Sequence, residues 1–190
     1  MASNFAVVYD ACVLYPAPLR DLLMRLALTD LYRAKWTDRI HDEWTSNLLA
    51  KRKDLTEQRL ARTRALMNQN VRESLVAGYE HLIASVVLPD PDDRHVVAAA
   101  IHSGAEAIIT FNMKDFPKAA LDKFNIEAIH PDDFIVDLLD LNAGKVLAAV
   151  AEHRASLKNP PKSVPEYLST LTAQGLTQTV SILTQFGMAV

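Results

Sequence analysis

The chain is almost without cysteine: Cys12 is the only one in 190 residues. A lone thiol cannot close an internal disulfide, which fits a reducing compartment and excludes a disulfide-stapled scaffold. An excess of positive charge is missing too. Lys and Arg number 20 against 23 Asp and Glu, for a formal charge of −3. No general attraction to nucleic acid follows, so any such binding must come from a local patch. No uninterrupted apolar run approaches the ~20 residues of a membrane span. The opening MASNFAVVYD lacks the basic region and long apolar core of a signal peptide. There is no internal repeat and no low-complexity tract. These absences predict a soluble, cytoplasmic protein with no membrane partner. Its apolar content of 49% can bury a core, and its length suits one compact domain with an appendage.

What is present gathers around residues 88–117, LPDPDDRHVVAAAIHSGAEAIITFNMKDFP, where Asp90, Asp92, Asp93 and Asp115 stand in a largely apolar stretch. From Asp92 the pattern predicts a helix with an Asp cap and an acidic first turn. Val96, Val97, Ala100 and Ile101 then keep helical spacing until Ser103-Gly104 stops the helix. AIITF, residues 107–111, is the short apolar run of a strand covered on both faces. Asn112 and Asp115 come just past its carboxyl end, where open α/β sheets bind ligands. Taken singly, each acid has an ordinary structural explanation, as a helix cap or a loop carboxylate.

The rest of the chain supplies more acids at matching places. FAVVY, residues 5–9, reads as a buried strand ending at Asp10. Pro16 and Pro18 mark a turn and a helix start, with Leu19, Leu22, Leu23 and Leu26 at helical spacing. YRAKW, residues 32–36, is a short second strand, and Thr37 or Asp38 caps the next helix. That helix buries Ile40, Trp44, Leu48 and Leu49 and carries Glu43 and Asn47 one turn apart. Residues 51–73 form a charged helical region with seven cations and three anions, a local charge of +4. It is either a solvated face or a phosphate-binding flank through Arg59, Arg62 and Arg64; little aromatic interleaving supports base stacking there. Residues 74–87 are expected to continue as helix toward ASVVLP, a minor strand. FPKAALDKF then gives a short helix and IEAIHP, residues 126–131, a last strand. This alternation predicts a parallel sheet with helices on both faces. Beyond it the chain turns all-helical. Asp132 or Asp133 caps a helix through FIVDLLDL, and another runs from Asn142 to about Leu157. NPPKSVP reads as a stiff linker holding the tail away from that helix. Leu168, Leu171, Leu176, Val180 and Leu183 then mark two short helices divided at Gly175. The tail carries no acidic set, so no catalytic contribution is expected of it.

VVYDACVL, DEW at residues 42–44, PDDRHVVAAAI and TFNMKDFP together resemble, in order and spacing, the four acidic motifs of PIN-domain ribonucleases, the family that includes the VapC toxins. The resemblance spans residues 5 to about 131. It implies a three-layer α/β/α domain with a central parallel sheet over residues 1–133, followed by a helical extension over 134–190 like that of some VapC-like proteins. It implies active-site acids at Asp10, Glu43, Asp93 and Asp115. Thr110 and Asn112 match the polar positions around the last acid, and Asp92 stands either as cap or as substitute for Asp93. The function implied is metal-dependent endoribonuclease, as the toxin of a VapBC-type module. RNA would be the substrate, a small VapB-like antitoxin the partner and a homodimer the assembly.

The chemistry agrees. Carboxylates without an accompanying His or Cys set suit hard cations, Mg²⁺ or Mn²⁺, which assist in-line attack on a phosphodiester. Asp10, Asp93 and Asp115 are the metal-ligand candidates. Glu43 could ligate directly, hold a water or accept its proton, and Thr110, Asn112 and Asp92 would support the ligands or meet phosphate. His95 and His102 read as structural or exposed rather than as ligands. Two alternatives remain. One is a non-catalytic PIN-like scaffold that binds RNA or protein. The other is a haloacid-dehalogenase-type phosphatase, which expects an acid where Cys12 stands.

Overall fold

The computed structural model describes residues 5–187. Four short parallel strands form its centre, in the order β2-β1-β3-β4. β1 (Ala6–Tyr9) is buried along its whole length, and β3 (Ala107–Ile109) likewise. Both are apolar runs rather than alternating ones, as strands covered by helices on two faces must be. β2 (Arg33–Lys35) and β4 (Glu127–Ile129) flank them. Val7 pairs with Ala107 and Tyr9 with Ile109, so β1 and β3 end side by side. The chain leaves β1 toward β2 on one side and returns as β3 on the other. That reversal opens a crevice beyond the carboxyl ends of β1 and β3.

Helices α1 (Ala11–Leu14), α2 (Ala17–Ala27), α3 (Asp38–Lys51), α4 (Glu57–Asn70), α5 (Arg94–Ser103) and α6 (Lys118–Leu121) complete the α/β unit. α2 starts behind Pro16 and buries Leu19, Leu22, Leu23 and Leu26, as its spacing predicts. α3 is capped by Thr37, whose hydroxyl accepts from Ile40 N, and buries Ile40, Trp44 and Leu48. Tyr9 stacks on Trp36 and shares a hydroxyl hydrogen bond with Tyr32, tying β1 to β2. The expected parallel sheet with helices on both sides is therefore formed.

Three local expectations are corrected. The minor strand at ASVVLP does not form. Residues Glu80–Ser85 make a 3-10 turn, and the edge of β2 is instead occupied by Leu75, which bridges to Trp36. Asp92 does not cap the acidic helix. Asp90 instead caps a 3-10 turn over Pro91–Asp93, its Oδ1 accepting from Asp92 N at 2.9 Å, and α5 follows with Asp93 at its N-cap position and no side-chain capping bond. Neither Asp132 nor Asp133 caps α7 (Pro131–Ser156); His130 does, Nδ1 accepting from Asp132 N.

α7 is interrupted at Asn142, where φ is −160° and the side chain accepts from Lys145 N, so it behaves as the two helices the sequence suggests. α8 (Val164–Ala173) and α9 (Thr177–Gln185) meet at Gly175, whose φ of +81° suits glycine. The linker does not hold this pair apart. α9 packs along α7 and α8 reaches α2, with Tyr167, Leu171, Leu176 and Leu183 fully buried. His153 of α7 bonds Tyr167 Oη through Nδ1 at 2.9 Å. The apolar face of two short helices outweighs linker stiffness, because only burial makes helices of this length stable. Among the described residues no helix is long and apolar enough to cross a membrane.

Candidate active site

Asp10 follows β1 directly, and its N–H donates to Ile109 O of β3 at 3.1 Å. Thr110 follows β3 in the same way, donating its N–H to Ile129 O. Two residues leaving adjacent strands at one level bring their side chains together: Thr110 Oγ1 donates to Asp10 Oδ2 at 2.7 Å. Thr110 is fully buried and also accepts from Asn112 N at 2.9 Å, so it fixes the turn that carries Asn112. Cys12 closes the group. Its thiol donates to Asp10 Oδ2 at 3.1 Å, and its sulfur accepts from Phe111 N. Burial pushes the Cys12 thiol up to about 12, with the Asp10 charge adding to it. It stays a protonated donor rather than a nucleophile.

α3 brings the second wall. Glu43 faces the crevice, its Oε1 lying 2.8 Å from His95 Nε2 and 3.4 Å from Arg39 Nε. Arg39 also donates to the Asp92 carbonyl, linking α3 to the acidic turn. His95 is buried at the first turn of α5, and among the described residues neither ring nitrogen makes a hydrogen bond, so its close approach to Glu43 is the contact it offers the site.

The acidic turn supplies the third wall. Asp93, half-buried, lines the same cavity of about 330 Å³ as Asp10, Glu43 and Asn112. Its carboxyl is pushed up to about 7, first by burial and then by the charges of Asp10, Asp90, Asp115 and Glu43. Asp115 is thus within electrostatic reach, though it does not line the cavity; its N–H is held by Asn112 O. Asp92 is exposed, and its backbone is engaged through Arg39 and Asp90.

These donors suit a hard cation. They are all oxygens, and burial together with the neighbouring carboxylates raises the Asp93 carboxyl to about 7, a cost of charging that a divalent ion would relieve. Among the described residues no three Asp, Glu, His or Cys side chains already stand at ligand spacing. Glu43 is turned to His95 and Arg39, and Asp10 to Thr110.

Sequence reasoning missed Tyr15 and Lys51, which line the cavity with Asn47. Lys51 lies two turns beyond Glu43 on the stripe that Asn47 continues, so extending that stripe would have found it. In the charged region, Arg59 and Arg62 are exposed on α4. Arg64 is committed to Asp42 Oδ1 at 2.6 Å and Asp38 Oδ1 at 3.3 Å.

Comparison with known proteins follows the same outline. Residues 6–114 match the PIN domain family, and residues 131–185 match the family described as the VapC50 C-terminal domain. The chain is 40% identical over 97 residues to a Mycobacterium tuberculosis protein named "Putative ribonuclease VapC50". That alignment covers 51% of this chain and 57% of the relative, so the chain spans little more than half the length of the curated relative it matches. No solved structure matches.

Proposed function

Because the chain belongs to the PIN-domain family, we propose that it is an endoribonuclease that hydrolyses RNA phosphodiester bonds with a divalent cation, Mg²⁺ or Mn²⁺. The observation that carries this is the convergence of Asp10, Glu43, Asp93 and Asn112 on one cavity at the strand-order reversal. The name of the mycobacterial relative supports a ribonuclease of the VapC type. In that role the chain would be the toxin of a VapBC-type pair, held by a small VapB-like antitoxin, and would work in the cytoplasm as a homodimer.

Asp10 and Asp93 would hold the cation, with Asp115 contributing charge from the side. Such an ion, when bound, supplies Lewis acidity toward the phosphate and lowers the pKa of water. The chain's own groups do the rest. Thr110 and Cys12 occupy Asp10 Oδ2 and leave Oδ1 for the cavity. His95 and Arg39 hold Glu43 at the cavity wall, where its carboxylate can accept the proton of the attacking water. Asn112, on the turn fixed by Thr110, lines the cavity, where its amide would meet the phosphate. A phosphatase of the haloacid-dehalogenase type would need an acid at position 12, where the structure has a half-buried, protonated thiol.

The test is cleavage of single-stranded RNA by the purified chain in Mn²⁺ or Mg²⁺ against EDTA. Asp93→Asn is expected to lose more than ~100-fold in rate, exceeding the loss typical of residues behind a ligand. Wild-type protein inert on an RNA pool with both metals would favour the non-catalytic scaffold.

A further inference from the structure

The acidic cavity continues past its carboxylates. α3 places Glu43, Asn47 and Lys51 along one stripe, so the wall changes from anion to cation within two turns. Lys51 Nζ lies 5.5 Å from the ring centroid of Tyr15. Tyr15 lines a second cavity as well, of about 680 Å³, between the start of α2 and α4. The two cavities therefore share one aromatic side chain as their common rim.

The second cavity has the opposite electrostatic character. Arg20, Arg52, Arg59 and Arg62 line it, and no Asp or Glu does. Arg20 is structural: Nη1 donates to the Leu14 and Tyr15 carbonyls, and its guanidinium lies over Trp44, so the Tyr15 turn is held in place before any ligand arrives. Arg52 is paired with Asp54 at the surface. Arg59 and Arg62, one turn apart on α4, are exposed and form no ion pair with the described residues. Arg64, on another face of α4, is already neutralised by Asp38 and Asp42 and does not line this cavity.

The geometry points to a single-stranded RNA track that leaves the acidic cavity over Tyr15 and Lys51 and runs into the arginine-lined groove on α4. This rests on the nuclease reading and assigns its substrate path. Tyr15 offers a fixed ring on which the base beside the scissile phosphate stacks, and Lys51 meets the adjoining phosphate. Arg59 and Arg62 take the phosphates further along. An aromatic step followed by spaced cations is what an unpaired strand requires. A duplex would keep its bases stacked on each other and leave Tyr15 unused.

The test is binding of a fluorescent single-stranded decaribonucleotide to the full chain in EDTA, so that no strand is cut. Replacing both Arg59 and Arg62 with Gln should reduce the log–log salt slope by about 1.4, twice ~0.7 per lost phosphate contact. Tyr15→Leu should weaken binding by ~5-fold or more, while Tyr15→Phe, which keeps the ring, should stay within ~2-fold of wild type. Photocrosslinking with 5-iodouridine in the strand should mark Tyr15. Melting temperatures certify that each variant is folded. Folded variants with unchanged affinity and slope would overturn the track. So would displacement of the RNA by a Glu-rich peptide combined with indifference to Tyr15→Leu, which would make the groove a protein-docking site. Wild-type cleavage measured in parallel separates the two readings. Cutting with unaltered variant binding sinks the track alone, and no cutting sinks the nuclease reading and the track with it.

Discussion

Asp93 is half-buried and faced by Asp10, Asp90, Asp115 and Glu43, and this raises its carboxyl to about 7. A folded-state value above the ordinary ~3.9 means that the folded protein binds this proton more tightly than the unfolded chain. The stabilisation is complete below about pH 4 and is lost as pH rises through 7. Metal-free protein should therefore melt lower at pH 8 than at pH 5 on account of this group. Asp93→Asn should raise the pH 8 melting temperature and leave the pH 4 value almost unchanged. Water screens a half-exposed group, so on the order of 1 kcal/mol is expected, or roughly 2–4 °C in a chain of this size. An Asn variant that melts lower at pH 8 would show that repulsion at this cavity is absent. Much of this site was legible in the sequence, because acids standing just past apolar strands are placed by the sheet itself. His95 was not: its face of α5 is chosen by what packs on α5, which spacing alone does not reveal. Its contact with Glu43 exists only in three dimensions.

Between elements, Asp132 shows why caps were the least legible feature. It stands in the first turn of α7 and reads as a cap for that helix. It is buried at 3% exposure, with its carboxylate turned to α9. Oδ2 accepts from Gln178 N at 2.8 Å and Oδ1 from Thr179 N at 2.9 Å, across 46 and 47 residues of sequence. Gln178 Nε2 adds a bond to Asp133. An Asp before an apolar run announces that it will cap something, but not which helix; here His130 caps α7 and frees Asp132 for the tail. Asp132→Ala would strand the buried Thr179 N–H and the part-buried Gln178 N–H. It should lower stability by roughly 1–3 kcal/mol, seen as a lower midpoint in urea, whereas Asp133→Ala at the exposed neighbour should cost far less. Equal effects from the two substitutions would count against Asp132 as the tail's anchor. The strands were legible from their apolar runs, but each is shorter than its run. At the end of β3, for instance, the Thr110 N–H still reaches Ile129 O, but its side chain turns to Asp10 and Phe111 N turns to Cys12, which ends the ladder.

For the molecule as a whole, the helical tail completes the core. Tyr167, Leu171, Leu176 and Leu183 are fully buried against α7, α2 and each other. Ending the chain after Leu157 uncovers their partners and leaves the Asp132 carboxylate without its amides. The truncated protein should aggregate or change oligomeric state in light scattering. A monodisperse truncation with the full-length melting temperature would show the tail to be dispensable. The tail's helices and their division at Gly175 were legible from spacing, but their docking was not, since an apolar face does not say what it meets. At Gly175 the corner of the tail approaches the Phe111 ring, where an added Cβ would lie 3.7 Å from Cε1. Phe111 sits between Thr110 and Asn112, so the tail rests on the strand exit that shapes the cavity. The amides of Gln178 and Thr179, hidden by a carboxylate from another helix, can meet solvent only when that contact opens. Their deuterium uptake would act as a clock on tail release, keeping time for the far end of the chain independently of the cavity.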